Sequence, residues 1–184
     1  PNRVRLQAAA AYGALQRENL VYAVPPASFE ALGQRVRLLD SLLEQKLGTC
    51  LDLTLAYAAC LEAMGLNPLL ILQPRHIFAG VWLEDRTFPE AVQDDPALLT
   101  KRLADGVGEL TVVECTALTA GRQLDFEAAE AAARQELSEQ GVSCILDVAR
   151  TRCSGIRPLP QRVRGAQGYE VRREALEPEA LTAA

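Results

Sequence analysis

The strongest constraint in this sequence is one helical segment whose apolar residues point in nearly every direction. These side chains recur around its whole circumference: Leu51, Leu53, Leu55, Tyr57, Ala58, Ala59, Leu61 and Met64. A helix that is apolar on one face can lie on a surface, whereas a helix that is apolar all round has to be buried. Gly65 provides a C-terminal stop. We therefore expect a central helix around which the rest of the chain packs.

A capping box begins this helix and contains a cysteine. In the sequence from Thr49 to Asp52, the Thr49 hydroxyl can accept from the Asp52 amide, while the Asp52 carboxylate accepts from the Thr49 amide. Cys50 then lies in the first turn, where unpaired N–H groups and the helix dipole favour an anion. Gly48, just before it, allows other backbone to approach closely. Because the thiolate is the nucleophilic form of cysteine, Cys50 is the candidate nucleophile.

The remaining cysteines lack this context. We interpret four of them as small buried hydrophobic residues: Cys60, Cys115, Cys144 and Cys153. The chain has an odd number of cysteines, and no two have the spacing of a zinc site or a disulfide framework. We expect a reduced, cytoplasmic protein without a metal site.

His76 is the only histidine in the chain, so any chemistry between cysteine and histidine has to use it. It opens the second strand of a predicted hairpin, which comprises Pro68 to Leu72, a turn at 73–75, and His76 to Leu83. Alternation places His76 on the same face as Phe78. Both faces of this strand are apolar, so the imidazole requires a polar partner.

Glu114 offers that partner. It is the only charge in the β-branched run from Leu110 to Thr116, and a buried carboxylate is costly unless it is paired. On an adjacent strand it would hold the imidazole of His76 toward Cys50. The alternative is that Glu114 pairs with an arginine or points outward from an edge strand. Asp85 lies nine residues beyond His76, roughly 30 Å along an extended strand, so we prefer Glu114.

An acyl-transfer site also needs hydrogen-bond donors for the developing oxyanion. The backbone N–H of Cys50 is the natural first donor, and Gln45 or Trp82 could supply a side-chain donor. Thr49, beside the nucleophile, is a further substrate-contact candidate. The alternative interpretation of Gln45 is an ordinary exposed helix residue.

The remaining pattern favours an α+β fold over a parallel doubly wound sheet, because helices come first and mixed strands follow. Predicted helices cover Arg3 to Tyr22, Asp40 to Lys46 and Asp125 to Gln140, and a further strand covers Val142 to Val148. Between Glu84 and Gly108 lies a polar stretch with one helix, which we interpret as an insertion or a lid. Residues 1–164 form one predicted domain, and 165–184 a peripheral helix or a flexible tail.

Composition limits the partners. The net charge is −5, which argues against direct nucleic-acid binding by this domain. No apolar run is long enough for a membrane helix, and the N-terminus does not resemble a signal peptide. The absence of a glycine-rich phosphate loop and of a ligand cluster predicts no cofactor. Because the chain begins at Pro1 within a helical pattern, we expect it to be part of a longer polypeptide.

Four segments together resemble the transglutaminase-like superfamily, whose members have a papain-like cysteine proteinase fold. The segments are Gly48 to Asp52, Leu61 to Leu66, His76 to Trp82, and Val113 to Thr116. The resemblance implies a buried helix carrying Cys50 as nucleophile, packed on an antiparallel sheet carrying His76 as base and Glu114 as acid. The family usually has Asp at the acid position, Gly-His-Ala around the histidine, and a shorter interval between histidine and acid.

Three flanking segments extend the resemblance to a domain embedded in large bacterial proteins that also carry superfamily I helicase and nuclease-like modules. They are Pro25 to Glu30, Gly33 to Arg37, and Ser154 to Pro160. The partners implied are a peptide or protein substrate and other domains of the parent protein. The expected function is thiol-dependent hydrolysis of an amide, with transamidation possible on the same acyl-enzyme. The alternatives are a catalytically inactive peptide-binding or interdomain module, and a purely structural α+β domain.

Overall fold

Six α-helices and nine β-strands form within residues 1–24, 35–104, 106–159, 161–165 and 168–172, which the computed structural model describes. The helices are α1 (Asn2–Arg17), α2 (Leu39–Gln45), α3 (Cys50–Ala63), α4 (Pro96–Leu103), α5 (Phe126–Gln140) and α6 (Val148–Cys153). The strands are β1 (Val21–Tyr22), β2 (Leu47–Gly48), β3 (Pro68–Leu72), β4 (Ile77–Trp82), β5 (Val92–Gln93), β6 (Leu110–Val113), β7 (Cys144–Asp147), β8 (Gln161–Gly165) and β9 (Gly168–Arg172). A 3-10 helix, Cys115–Leu118, follows β6.

Helix α3 is the central helix that the sequence predicts. The two hydrogen bonds of the predicted capping box are both present at its start. Past its end, Gly65 has a φ of +73°, a left-handed conformation that favours glycine. Leu53, Tyr57 and Leu61 are fully buried. The apolar pattern therefore identified both the helix and its burial.

A five-stranded antiparallel sheet lies against α3, in the order β5-β7-β3-β4-β6. The predicted hairpin is present, with Leu72 paired to Ile77 at its closed end. Helices and an antiparallel sheet in one chain confirm the α+β class. The predicted pairing of the histidine-bearing strand with the strand before Glu114 is also present, as β4 next to β6.

The two faces of β4 belong to two separate cores. Ala79 and Val81 pack in a cluster with α1 and α3, while Phe78 and Trp82 pack in a second cluster with Phe88 and α4. Gly80 lies in β4 between Ala79 and Val81. A Cβ at this position would come within 3.2 Å of side-chain atoms of Leu69 and Ile71, so a larger residue would be crowded there. The sheet thus separates the core around α3 from the core behind it.

The segment from Glu84 to Gly108 is not a lid over the first core. Val92 and Gln93 form β5, which pairs with β7 at the sheet border. Leu99 and Leu103 of α4 are buried in the second core. Its apolar residues recur at helical spacing and cover the back of the sheet, so the segment completes the fold there and leaves the β4–β6 pairing intact.

Three further expectations need correction or lie outside the described residues. Residues 161–165 and 168–172 form the antiparallel hairpin β8–β9, in place of the helix or flexible tail expected from residue 165. Two parts of the flanking resemblance, 25–30 and 33–34, and residues 173–184 lie outside the described residues. Among the described residues, no helix is long and apolar enough to cross a membrane.

Candidate active site

The N-terminus of α3 is fixed by one buried carboxylate. Asp52 Oδ2 accepts from the Thr49 amide at 2.9 Å, and Thr49 Oγ1 accepts from the Asp52 amide at 3.3 Å. Asp52 also accepts from the backbone and the guanidinium of Arg37, at 2.7 and 3.0 Å. Cys50 therefore lies on a rigid first turn. Thr49 serves this turn as its cap.

Strand register brings His76 and Glu114 together. Ala79 pairs with Val113, and continuing this antiparallel register places Glu114 opposite Phe78. His76 is then the diagonal neighbour of Glu114, within reach of a long side chain. The structure places both residues just outside their strands, since β4 begins at Ile77 and β6 ends at Val113. Glu114 instead caps the 3-10 helix.

The imidazole and the carboxylate form a short ion pair. His76 Nε2 lies 2.6 Å from Glu114 Oε2, and Glu114 is only 2% exposed. Burial alone would lower the pKa of His76, but hydrogen bonds with Cys50 and Glu114, and the negative charge of Glu114, raise it to about 10. Burial would raise the pKa of Glu114, but the bond and charge of His76 hold it below its ordinary value. At neutral pH the pair is therefore charged.

Cys50 is a further neighbour of the imidazole. Its hydrogen-bond interaction with His76 contributes to the raised pKa of the ring. Because Nε2 is bonded to Glu114, Nδ1 is the ring nitrogen left for the sulfur. The Cys50 residue is 6% exposed. Cys50 and Glu114 therefore both lie near the imidazole of His76.

The second oxygen of Glu114 is held by a short polar chain. Glu114 Oε1 accepts from the backbone N–H and the hydroxyl of Thr116, at 2.8 and 2.7 Å. Arg122, an exposed residue, donates to the Thr116 hydroxyl at 2.8 Å. These bonds orient the carboxylate so that Oε2 faces the imidazole. Sequence reasoning missed Thr116 and Arg122, since neither follows a local pattern.

Tyr22 is a second neighbour of the Cys50 sulfur, after His76, and sequence reasoning missed it. Its phenol is close enough to Cys50 for the cysteine to raise the pKa of the tyrosine, after burial, which is the larger cause. The prediction had assigned Tyr22 to the end of the first helix, whereas the structure ends α1 at Arg17 and places Tyr22 in β1. Asn19, with a φ of +54°, lies in the turn between them. The asparagine was the available signal in the sequence, because asparagine tolerates the left-handed conformation better than most residues and so favours a turn here.

Trp82 does not belong to this site. It lies six residues along β4 from His76, roughly 20 Å in an extended strand. Its indole Nε1 donates to Asp147 Oδ2 at 3.1 Å, and its ring packs in the second core. A tryptophan on the strand of the histidine was a reasonable donor candidate, but six residues of extended chain carry it to the far end of the sheet.

Gln45 is exposed at the end of α2 and lines a cavity of about 240 Å³. The other lining residues are Arg35, Val36, Arg37, Leu38 and Ser41. Cys50, His76 and Glu114 are not among its lining residues. One lining residue, Arg37, contacts Asp52 at the N-terminus of α3.

The remaining cysteines lie away from this arrangement or are inert within it. Cys115 is fully buried, and burial together with the charge of Glu114 raises its pKa. Burial also raises the pKa of Cys60. Cys153 is exposed, so the prediction that it is buried is wrong, and Cys60 and Cys144 are only partly buried. Among the described residues, no group of three or more histidine, cysteine or acidic side chains could hold a metal ion.

Comparison of the chain with protein-family models, with curated proteins and with solved structures finds no match. The interpretation of the site therefore depends on its own geometry.

Proposed function

We propose that this protein is a thiol-dependent acyl-transfer enzyme that hydrolyses amide bonds of a peptide or protein through Cys50, His76 and Glu114. The observation that carries this proposal is the ion pair of His76 with a buried glutamate, next to a cysteine in the first turn of the central helix. A structural histidine needs no such combination. The transglutaminase-like, papain-type arrangement is part of the same proposal, supported by α3 packed on an antiparallel sheet.

The proposed reaction begins with the proton already on the imidazole. Because the pKa of His76 is raised to about 10, the ring is an acid at neutral pH and stabilises a thiolate beside it. The Cys50 sulfur attacks the amide carbonyl carbon, a C–S bond forms, and the carbonyl electron pair moves to oxygen. Collapse breaks the C–N bond, and the proton of His76 passes to the leaving amine.

The second half of the reaction regenerates the enzyme. Neutral His76 accepts a proton from water as its oxygen attacks the thioester carbon, and the C–S bond breaks to release the carboxylic acid and the thiolate. An amine could attack in place of water, which would make the reaction transamidation. Hydrolysis is the simpler proposal because water needs no second binding site.

Alkylation by iodoacetamide tests the proposed pair of thiolate and imidazolium. We expect Cys50 to be alkylated at pH 6 faster than the exposed Cys153 of the same molecule, as measured by peptide mass spectrometry. In His76→Ala, the rate at Cys50 should fall to that of Cys153 or below, because the cation beside the sulfur is lost. Equal alkylation rates at Cys50 and Cys153 in the wild type, unchanged in His76→Ala, would contradict the proposal that the protein is a thiol enzyme.

A second candidate is favoured by the low exposure of the nucleophile. With 6% of its surface accessible, Cys50 is also compatible with a silent peptide-binding or interdomain module that keeps this fold. That module predicts that Cys50 is alkylated no faster than Cys153 and that His76→Ala leaves its rate unchanged, whereas a purely structural domain predicts that Cys50 reacts only after unfolding. The labelling experiment therefore separates the two functions.

A further inference from the structure

Tyr22 is tied to the segment that carries the nucleophile, although it is far from it in sequence. Strands β1 and β2 are parallel, with Tyr22 opposite Gly48. The amides on either side of Tyr22 donate to this segment: Val21 to the Lys46 carbonyl and Ala23 to the Gly48 carbonyl, both at 2.8 Å. The backbone of Tyr22 is therefore fixed beside the residues that lead into α3.

The side chain of Tyr22 is close to Cys50 and is the more exposed of the two. Its phenol interacts electrostatically with Cys50, and the tyrosine is 36% exposed, whereas Cys50 is 6% exposed. A carbonyl group bound at the Cys50 sulfur would therefore lie near this hydroxyl.

The phenol keeps its proton under the conditions of the reaction. Burial, and the charges of Cys50 and Glu114, raise the pKa of Tyr22 above its ordinary value of 10. At neutral pH it is a neutral O–H donor. A neutral O–H group can donate a hydrogen bond to a developing oxyanion.

The other side-chain donors suggested by the sequence are engaged or directed elsewhere. Trp82 gives its N–H to Asp147, and Gln45 lines the cavity beside Arg37. The backbone N–H of Cys50 lies in the first turn of α3, where amides have no acceptor within the helix. The capping box takes the amides of Thr49 and Asp52. An oxyanion hole with two donors would therefore need one side-chain donor in addition to the backbone N–H of Cys50.

We propose that the Tyr22 hydroxyl is the side-chain donor of the oxyanion hole, acting together with the Cys50 backbone N–H. This inference rests on the proposed acyl transfer at Cys50. As the sulfur bonds to the carbonyl carbon, the hydroxyl moves from its contact with sulfur to the oxygen on which negative charge develops. Tyr22 would therefore contribute to steps that pass through a tetrahedral oxyanion and not to reactions that lack one.

Two reagents separate these cases at the same sulfur. With 4-nitrophenyl acetate, the C–S bond forms, the carbonyl electron pair moves to oxygen, and collapse expels 4-nitrophenolate, leaving acetyl-Cys50. With iodoacetamide, the sulfur displaces iodide from a saturated carbon and no oxyanion forms. The first reaction needs the oxyanion hole, whereas the second reports only on the thiolate and its accessibility.

The experiment compares wild type with Tyr22→Phe. We expect the burst of 4-nitrophenolate, with acetylation of Cys50 located by mass spectrometry, to slow about 100-fold, as on loss of one oxyanion donor. The rate of alkylation by iodoacetamide should stay within a few-fold of wild type. Tyr12→Phe is the matched control, because Tyr12 donates to the Leu124 carbonyl, which Gln16 also satisfies. Its two rates should match wild type.

The other outcomes each overturn the inference. Faster reaction with both reagents in Tyr22→Phe would make Tyr22 only a cover over the sulfur. Equal slowing with both would assign it to the thiolate or to the fold, and no change would remove it from the chemistry. Failure of the wild type to acetylate at Cys50, in a chain whose Cys50 is alkylated, would instead reject the proposed acyl transfer itself.

Discussion

Two buried carboxylates at opposite ends of β4 show what distinguishes a candidate site from a structural contact. Glu114 and Asp147 are both almost inaccessible, at 2% and 0%, and both cap a short helix. Glu114 faces an imidazole with a thiol beyond it. Among the described residues, Asp147 accepts from N–H groups that do not titrate near neutral pH: the Trp82 indole and the amides of Phe88 and Arg150.

The comparison shows that burial of an acid does not by itself indicate chemistry. Asp147 has three donors that hold it in place, so it fixes β7, α6 and the loop before β5. The backbone and hydroxyl of Thr116 donate to Oε1 of Glu114, while Oε2 faces His76, a group that can gain or lose a proton. The identity of the donor, and not the environment of the acid, separates the two residues.

The largest expected effect is on stability, at the structural acid. Asp147→Ala leaves two buried N–H groups, those of Trp82 and Phe88, and the partly buried amide of Arg150 without an acceptor, and we expect it to lower the free energy of unfolding by about 3 to 5 kcal/mol. Urea denaturation followed by fluorescence of Trp82 measures this loss. The rate of alkylation at Cys50 in the folded fraction should not change. A changed rate at Cys50 would show that the two ends of the sheet are coupled.

The next effect is on chemistry, at the other acid. Glu114→Gln removes the charge that holds the imidazolium, and we expect acetylation of Cys50 by 4-nitrophenyl acetate to slow by about 10²-fold. Asp147→Asn is the matched control, because it makes the same change of an acid to its amide at the structural end. Equal slowing in both variants would remove the distinction drawn between these carboxylates.

The pH dependence of stability gives a smaller effect whose sign is fixed. His76 binds its proton more tightly in the folded state, with a pKa of about 10 against 6.5 unfolded. Its contribution is complete below pH 6.5 and is lost as the pH rises toward 10. We expect wild type to lose roughly 1.4 kcal/mol or more relative to His76→Gln between pH 6.5 and 10, in paired urea titrations. A parallel pair of curves would show that the imidazole gains nothing from its neighbours.

Glu114 contributes with the opposite sign at the acid end. Because its pKa is lowered in the folded state, its contribution is present above pH 4.5 and is lost as the pH falls through the folded value. We expect Glu114→Gln to flatten the acid limb of the urea titration. An acid limb that stays as steep as in wild type would assign acid sensitivity to other carboxylates.

The smallest effect is expected at Arg122, which reaches Glu114 only through Thr116. Arg122→Gln should change the free energy of unfolding by no more than about 0.5 kcal/mol, because the residue is exposed. Acetylation of Cys50 should slow a few-fold, through looser orientation of the carboxylate. An effect as large as that of Glu114→Gln would move Arg122 from the periphery of the site into direct contact with the reaction.

Residues whose roles depend on local sequence were predictable. The hydrogen bonds of the capping box lie within four consecutive residues. The sequence of Thr49 and Asp52 therefore predicted both the start of α3 and the position of Cys50 in its first turn. The isolated charge of Glu114 in a β-branched run signalled a buried acid, because such a charge needs a partner. The α+β class followed from the order of helical and strand periods.

Contacts between distant segments were not predictable in the same way. Tyr22 reaches Cys50 through a parallel bridge of two residues, which is too short to leave an alternating pattern. Asp147 was hidden inside a predicted strand through Val148, and its bond to Trp82 joins residues 65 apart in the sequence. Trp82 was therefore assigned to the wrong end of β4. The insertion was misread because its helix packs on the back of the sheet.

The borders of the five-stranded sheet bear on how the chain behaves at high concentration. One border is β5, only two residues long, and the other is β6, four residues long, against which α5 packs. Short or flanked borders give a second molecule little free backbone to extend by strand addition. We expect this sheet to resist fibril-like stacking.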